Sequence, residues 1–365
     1  MDRKIYDVIY TLMIPEIGPA GIGKLLRMFG SFENIRALTA DQIGRLKFLS
    51  HKAKEAMTEG AVTEYTDKSM EIIRRENVGV CLMGDSDYPQ SLMDIQNPPP
   101  ALFYRGKMLA KERRVSVIGT RACSHYGMAV AEELGRKCGI HGLTTVSGFA
   151  SGVDGLIHRS TCENGGRTVA VLAGNIDKPY PVENRNLINP ILKAEGCLLT
   201  EVPPGKPIFR SDFILRNRLI AGLGTVLVVV EAGTKSGCFS TVDYMNDIGR
   251  DTYAVPGNIT GSKSTGTNKM IQQGAHVYTS YEDFMLDSGL GVFARRHSGY
   301  TAQGIELSNL DKRLLAEIKS TPCTVEQLSD TLSLDPGTVA QSLTFLTLFG
   351  EVTEVTPGWF VGKTG

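Results

Sequence analysis

The stretch VLVVVEAGTKSG, residues 226–237, decides how this chain is read. Five apolar residues, 226–230, run without alternation. A strand with one wet face alternates apolar and polar residues, so an unbroken run suits a strand covered on both faces. The run ends at Glu231, and the turn Gly233-Thr234-Lys235-Ser236-Gly237 then opens a helix-like stretch. Backbone amides at a helix start, together with a lysine and hydroxyls, suit a phosphate. The Walker pattern GxxxxGK[ST] is absent, and no GxGxxG follows a strand, because Gly222 and Gly224 precede the apolar run. Dinucleotide binding thereby loses its main support.

Outward from this stretch the same grammar repeats. Short apolar runs lie at residues 115–118, 144–146, 169–172, 198–200, 252–255 and 276–278, each beside a Gly-rich turn and a helix-like segment. Strand, turn and helix in alternation predict an α/β fold, an extended Rossmann-like parallel sheet with right-handed crossovers. Residues 1–75 follow the helical period instead, with Ile5, Val8, Ile9 and Leu12 on one face. Ile22, Leu25, Leu26 and Phe29 form a second face, and Ile43, Leu46 and Leu49 a third. After a linker at 286–306 containing ARRHSGYTAQG, residues 307–365 read as three helices and a hairpin in winged-helix order. Thr324 with Gln327 is a capping box, Asp335-Pro336 starts the next helix, Gly350 stops it, and Pro357-Gly358 turns the hairpin. The predicted organisation is a helical domain at 1–75, a Rossmann-like domain at 76–285, the linker, and a winged helix at 307–365.

Composition narrows the function classes. Lys and Arg number 39 and Asp and Glu 39, so any anion must be held by local clusters, not by a global field. The seven cysteines are scattered without CxxC or zinc spacing, which reads as reduced thiols and no metal site. The N-terminal residues include acids and no long apolar run, and no stretch is long enough to span a bilayer. A cytoplasmic protein without membrane partners is the expectation.

Ligands of an open parallel sheet sit beyond the carboxyl ends of its strands, so each junction there is a candidate. In VSVIGTRACSHYG, Gly119 allows close backbone approach and Arg121 offers a bidentate phosphate contact; the plainer reading is a tight turn with a surface arginine. In VSGFASGVDGLIH, Ser147 and Gly148 follow a strand, and Asp154 and His158 are spaced to meet on a helix. No nucleophile accompanies that pair, so Asp154 is read as orienting the loop and no catalytic residue is assigned. In PPGKPIFRSDFILRNRLIAG, Lys206, Arg210, Arg216 and Arg218 interleave with Phe209 and Phe213. Charges that track phosphates and rings that stack bases suit single-stranded nucleic acid, while an amphipathic helix start explains the same pattern structurally. Arg216 and Arg218 cannot share a helix face, so at least one of them serves structure. Gly18, Gly21 and Gly23 resemble a helix-hairpin-helix turn, for which a turn between two core helices is the simpler account. The last two helices carry no Lys or Arg, which argues for an interaction or packing module over a DNA reader.

Together these blocks resemble the DprA/Smf family of DNA-processing proteins. RNRLIAG (216–222), VVVEAGTKSG (228–237), YAVPGNI (253–259) and GTNKMIQQGA (266–275) are the most specific parts; SGFASGVDGLIH (147–158), LAGNIDKPYP (172–181) and EGCLLTEVPPG (195–205) add to them. The resemblance implies a protein, not an enzyme, that binds single-stranded DNA without sequence preference. It also implies a homodimer that helps load the RecA recombinase during natural transformation, with no cofactor. By motif match, Gly119, Arg121, Ser147, Gly148, Phe213, Arg216, Asn217, Arg218, Lys235, Ser236 and Gly237 are the expected DNA-binding residues. The chain departs from the family pattern at Ser151, where many relatives carry a base, and at Ala173, which implies altered affinity. The alternative is a Rossmann-type nucleotide-processing enzyme of the phosphoribohydrolase kind, which needs a PGGxGT-type loop that AGTKSG does not match. A scaffold with a merely solvated basic segment is the third reading.

Overall fold

The computed structural model describes residues 2–290, 308–318, 322–348, 351–356 and 358–362. They fall into two compact units, 1–284 and 285–365.

The first unit begins with six helices: α1 (Asp2–Met13), α2 (Pro19–Phe29), α3 (Phe32–Arg36), α4 (Ala40–Gly44), α5 (His51–Thr58) and α6 (Ala61–Arg75). Side-chain caps set several of their starts. Ser31 accepts from the amide of Asn34, Ser50 from that of Ala53, and Thr39 with Gln42 forms a capping box. Val8, Ile9, Leu12, Ile22, Leu25 and Ile43 are buried, as the helical period requires. Leu46 and Leu49 are buried too, but they lie beyond the end of α4, so the third expected face is a short helix with its following turn. Gly21 and Gly23 fall inside α2, where a Cβ on Gly21 would sit 2.7 Å from Ile17; the pair is not a loop of free amides.

The sheet has nine strands among the described residues: β1 (Gly79–Leu82), β2 (Ala101–Gly106), β3 (Arg114–Ile118), β4 (Thr144–Ser147), β5 (Thr168–Val171), β6 (Cys197–Thr200), β7 (Val226–Val229), β8 (Thr252–Ala254) and β9 (His276–Val277). Their order is β1-β2-β6-β5-β4-β3-β7-β8-β9. From β6 to β9 every pairing is parallel; β2 joins β6 antiparallel and β1 joins β2 antiparallel. The seven parallel strands stand where the apolar runs place them. β1 and β2 are additions that the reading passes over. They sit outside the strand–turn–helix alternation, and the prolines at 98–100 just before β2 read as a breaker.

Helices α7 (His125–Ile140), α8 (Val153–Glu163), α9 (Ile188–Lys193), α10 (Arg210–Leu223), α11 (Cys238–Asp247), α12 (Thr265–Gln272) and α13 (Tyr281–Asp287) complete the series. Every residue of β3 to β8 is buried, as expected of strands covered on both faces. One apolar cluster joins α1–α6 to Phe103, Phe149, Ala170, Leu172 and Leu198; the other packs α10, α11 and α12 on Val146, Val171, Leu227 and Ala254. Each such aliphatic side chain stabilises by about 1.5–3 kcal/mol relative to exposure. The chain adds β4, β5 and β6 on one side of β3, then crosses through α10 to add β7, β8 and β9 on the other. The turns after β3 and β7 therefore diverge, which makes their carboxyl ends the switch point of the sheet.

At the opposite end of the strands, Glu112 is a buried hub. It accepts from Arg114 Nε at 2.8 Å, Arg167 Nε at 2.7 Å and Thr144 Oγ1 at 2.9 Å. Arg167 also donates to the Lys107 carbonyl at 2.5 Å, and Arg114 to that of Leu109. Burial alone would raise the Glu112 carboxyl, but the two guanidiniums outweigh it and hold it below the ordinary carboxylate value.

In the second unit, α14 (Asn309–Glu317), α15 (Val325–Leu332) and α16 (Pro336–Leu348) enclose Leu314, Ile318, Leu328, Val339, Leu343 and Leu346. Strands β10 (Cys323–Thr324), β11 (Val352–Thr356) and β12 (Trp359–Gly362) form an antiparallel sheet in the order β10-β12-β11. The capping box closes as expected, with the Thr324 amide donating to Gln327 Oε1 at 3.0 Å and the Gln327 amide to Thr324 Oγ1 at 3.3 Å. Asp335 accepts from the Thr338 amide at 3.0 Å at the start of α16. Most of the expected linker, Gly350 and Pro357 lie outside the described residues.

Glu112→Gln keeps the shape and removes the charge between the buried Arg114 and the half-buried Arg167. Urea unfolding at pH 7 should show a loss of about 3 kcal/mol.

Candidate nucleic-acid interface

Three strand ends meet at the switch point because glycines let their turns touch. Gly152 has φ +78°, and a Cβ there would lie 2.3 Å from the Thr120 carbonyl. The turn before α8 thus rests directly on the turn after β3, and the Val153 amide donates to Thr120 O at 3.2 Å. A Cβ on Gly119 would meet the Val153 side chain at 2.5 Å. From the other side, the Val230 amide donates to Ile118 O at 3.0 Å.

Arg216, near the middle of α10, ties these ends together. Its guanidinium donates to the carbonyls of Gly148 and Val171, and its Nε to Asn217 Oδ1 at 3.2 Å. Asn217 Nδ2 donates to Ser240 Oγ at 2.9 Å, and Ser240 Oγ to the Gly237 carbonyl at 2.8 Å. One hydrogen-bonded chain therefore runs from the end of β4 to the turn before α11. Asp154 Oδ2 accepts from the amides of Gly148 at 3.1 Å and Ala150 at 3.2 Å. A side chain on Gly148 would come within 2.7 Å of both the Arg216 guanidinium and the Asp154 carboxylate. Burial lowers Arg216 to about 10 against the pull of Asp154, and the nearby Arg121 lowers it further; it remains charged at neutral pH. Burial raises the Asp154 carboxyl, opposed by Arg216 and the loop amides. Phe149 between them is fully buried with φ +61°, and Asn184 Nδ2 holds the carbonyls of Phe149 and Ala150 at 3.0 and 2.8 Å.

His158 does not pair with Asp154. Its Nδ1 lies 2.7 Å from Thr168 Oγ1, whose own proton goes to Thr145 O at 3.1 Å. Nδ1 is engaged by this hydroxyl, and Nε2 is buried with no partner among the described residues. Burial, with Arg216 adding to it, holds His158 down at about 3. It is a neutral core histidine, not a catalytic base.

Three helix starts face this region, and two are filled from within. At α7, the amide of Ser124 donates to Glu231 Oε2 at 3.0 Å, its hydroxyl donates to Glu231 Oε1, and the Gly127 amide donates to Ser124 Oγ at 3.1 Å. Glu231, 2% exposed, occupies the place that the sequence offered to a phosphate after Gly119. Before α8, Asp154 takes the loop amides. At α11, no side chain caps Gly237; Lys235 and Gly237 are exposed, and Ser236 is half-buried with its hydroxyl accepting from the Cys238 amide at 3.2 Å.

The expected site residues divide accordingly. Arg121 and Lys235 are exposed cations at the rim, and Gly119, Asn217, Ser236 and Gly237 stand with them. Ser147 and Gly148 are wholly engaged within the fold. The Ser147 hydroxyl donates to Val117 O at 2.6 Å, and both backbone groups of Gly148 are taken. Their part is to build the site. Arg216 likewise supports more than it presents. Arg218 is 3% exposed, ion-paired to Glu201 and donating to Asn97 O at 3.0 Å; it lines a separate cleft of about 610 Å³ with Asn97, Tyr244 and Asp247. Lys206 is also spent in structure, donating to Leu12 O at 2.5 Å at the end of α1. Phe213 is half-buried, edge-to-face with Tyr180 at 6.2 Å. Ser151 is half-buried and Ala173 buried. The sequence reading missed three residues. Glu231 was signalled by a carboxylate ending a fully apolar strand, which has to be satisfied. Lys263 is half-buried within electrostatic reach of Cys123, on a segment whose carbonyl accepts from the Ala232 amide at 2.8 Å. Tyr180 is the third.

Fold and rim define an open, doubly wound α/β protein with a cationic switch point. Residues 79–288 match the family described as DNA recombination-mediator protein A, and the chain belongs to that family. Protein Smf of Synechocystis is 29% identical over 373 residues, covering 93% of this chain and 94% of its own length. The X-ray structure of DNA processing protein A (DprA) from Streptococcus pneumoniae superposes with a TM-score of 0.64 at 29% identity, over 77% of this chain and 97% of that one. DNA processing protein A from Helicobacter pylori, whose structure is described in terms of a single-stranded DNA binding mode, shares the fold with a TM-score of 0.52 at 24% identity, covering 57% and 94%.

The unfolded chain binds a proton on His158 near pH 6.5 and the folded chain refuses it until about 3, so stability falls as pH drops through that interval. In His158→Gln that contribution is absent. Urea unfolding between pH 7 and 5 should give a shallower pH slope, by up to about 1.4 kcal/mol per pH unit.

Proposed function

We propose that this chain binds single-stranded DNA along the ends of β3, β4 and β7, without sequence preference, and acts by binding alone. One observation carries this reading: of the three helix starts at the switch point, the one before α11 is left without a carboxylate, and it is wired to Arg216 and flanked by Lys235. A phosphate there would meet the Lys235 ammonium and the positive end of α11, where the Ser236 hydroxyl already holds the Cys238 amide. Arg121 and Lys263 extend the cationic rim. Phosphate contacts and ring stacking carry no base-edge code, which favours sequence-independent binding. Membership of a recombination-mediator family and the Helicobacter relative's binding mode point the same way.

The role that goes with this is assistance in loading the RecA recombinase during DNA uptake and recombination, as a homodimer in the cytoplasm. No helix among the described residues is long and apolar enough to cross a membrane. We read residues 1–75 as a helical domain, 76–285 as the binding domain and 307–365 as a winged helix. Because α15 and α16 contain no Lys or Arg, that last module is assigned to protein contact.

Fluorescence anisotropy of labelled oligo-dT against duplex DNA over a salt series tests the reading. Single strands should bind more tightly, with affinity falling as salt rises. Arg121→Ala and Lys235→Ala should each weaken binding and lower the salt slope by about 1. Parent-like slopes in both variants would remove the rim from the site.

A further inference from the structure

We propose that Tyr180 is a stacking platform for a base of the bound strand, forming with Phe213 an aromatic ledge beside the cationic rim. The proposal rests on the single-strand reading above and names a residue which that reading does not contain. Tyr180 lies in the loop after β5 and is 64% exposed. The loop is anchored on both sides of the tyrosine. Pro179 and Pro181 are buried, and Arg185 Nε donates to the Pro179 carbonyl at 2.8 Å. The Asn184 amide donates to Pro181 O at 3.3 Å. The ring is thus presented, not merely uncovered, and holding it still beforehand reduces the entropy lost on binding.

Its position links it to the rim. Tyr180 packs edge-to-face on Phe213, with ring centroids 6.2 Å apart at 83°. Phe213 stands one turn before Arg216 on α10, and Arg216 holds the ends of β4 and β5. The two segments touch again where Ile208 fills the space over Gly174, which a Cβ would enter at 2.4 Å. Phe209, 63% exposed, and the exposed Arg210 lie just before Phe213. Rings exposed next to cations match a strand whose phosphates and bases alternate, because every base has a face to stack whatever its sequence. A second copy of this chain would instead ask for a broader apolar surface with the cations at its margin.

The test uses the full chain, with Tyr180→Ala, Tyr180→Phe and Arg121→Ala beside the parent. The probe is oligo-dT carrying single 2-aminopurines at successive positions. We expect Tyr180→Ala to weaken binding about tenfold with the salt slope unchanged, since no phosphate contact is lost. Tyr180→Phe should bind within about twofold of the parent. At one or two positions 2-aminopurine fluorescence should be quenched by the parent and by Tyr180→Phe, but not by Tyr180→Ala. If Tyr180→Ala binds and quenches like the parent while Arg121→Ala is weakened, the ledge is overturned and the single-strand reading stands. If the parent itself binds no oligo-dT, both fall. Light scattering on the same proteins supplies the remaining arm: loss of self-association in Tyr180→Ala, with unchanged DNA contact per protomer, would assign the ring to a copy interface and overturn the proposal.

Discussion

The buried guanidinium of Arg216 is the interaction on which the rest of this site depends. A charge removed from water is tolerated when it is paired and well hydrogen-bonded. Here two strand-end carbonyls and a neighbouring amide oxygen answer it, with the Asp154 carboxylate close by. The constraint acts in both directions. The arginine can stay charged because β4 and β5 end where they do, and those ends hold their positions because the arginine spans them. Gly148 follows from this arrangement, since any side chain there would occupy the space between the two charges.

A second principle governs the helix starts around it. Each offers unpaired amides and a partial positive charge, and a protein must either fill such a place or leave it for a ligand. Glu231 fills the one at α7 and Asp154 the one before α8. The internal carboxylates leave the turn at 235–237 as the distinct position along the rim, and the chain Arg216–Asn217–Ser240–Gly237 ties that turn to the core. Selectivity in this picture comes from which anion places are closed as much as from which are open.

The parallel sheet was legible because its strands are covered on both faces, and continuous apolar runs such as 226–230 have no other economical explanation. The antiparallel strands β1 and β2 were not, since they lie outside the crossover rhythm and a proline run separates them. For the site, glycines and cations in the turns pointed to the carboxyl ends of the strands, but spacing does not tell which way a side chain faces. Arg216 and Arg218, two residues apart on one helix, go to different carbonyls and different clefts. Ser147 looked available in sequence and is spent on Val117. Glu231 and Tyr180 escaped notice for opposite reasons: an acid among presumed anion sites, and an aromatic ring in what reads as an ordinary proline-rich turn.

The two margins of the large sheet are unlike its centre. One closes on the antiparallel pair β1 and β2, and the other on β9, only two residues long. A margin with so few free backbone groups gives an incoming extended chain little to zip onto. The parallel interior from β6 to β8, whose pairings are distant in sequence and of the kind that forms slowly, is thus bordered by strands poorly suited to recruiting another copy while it forms.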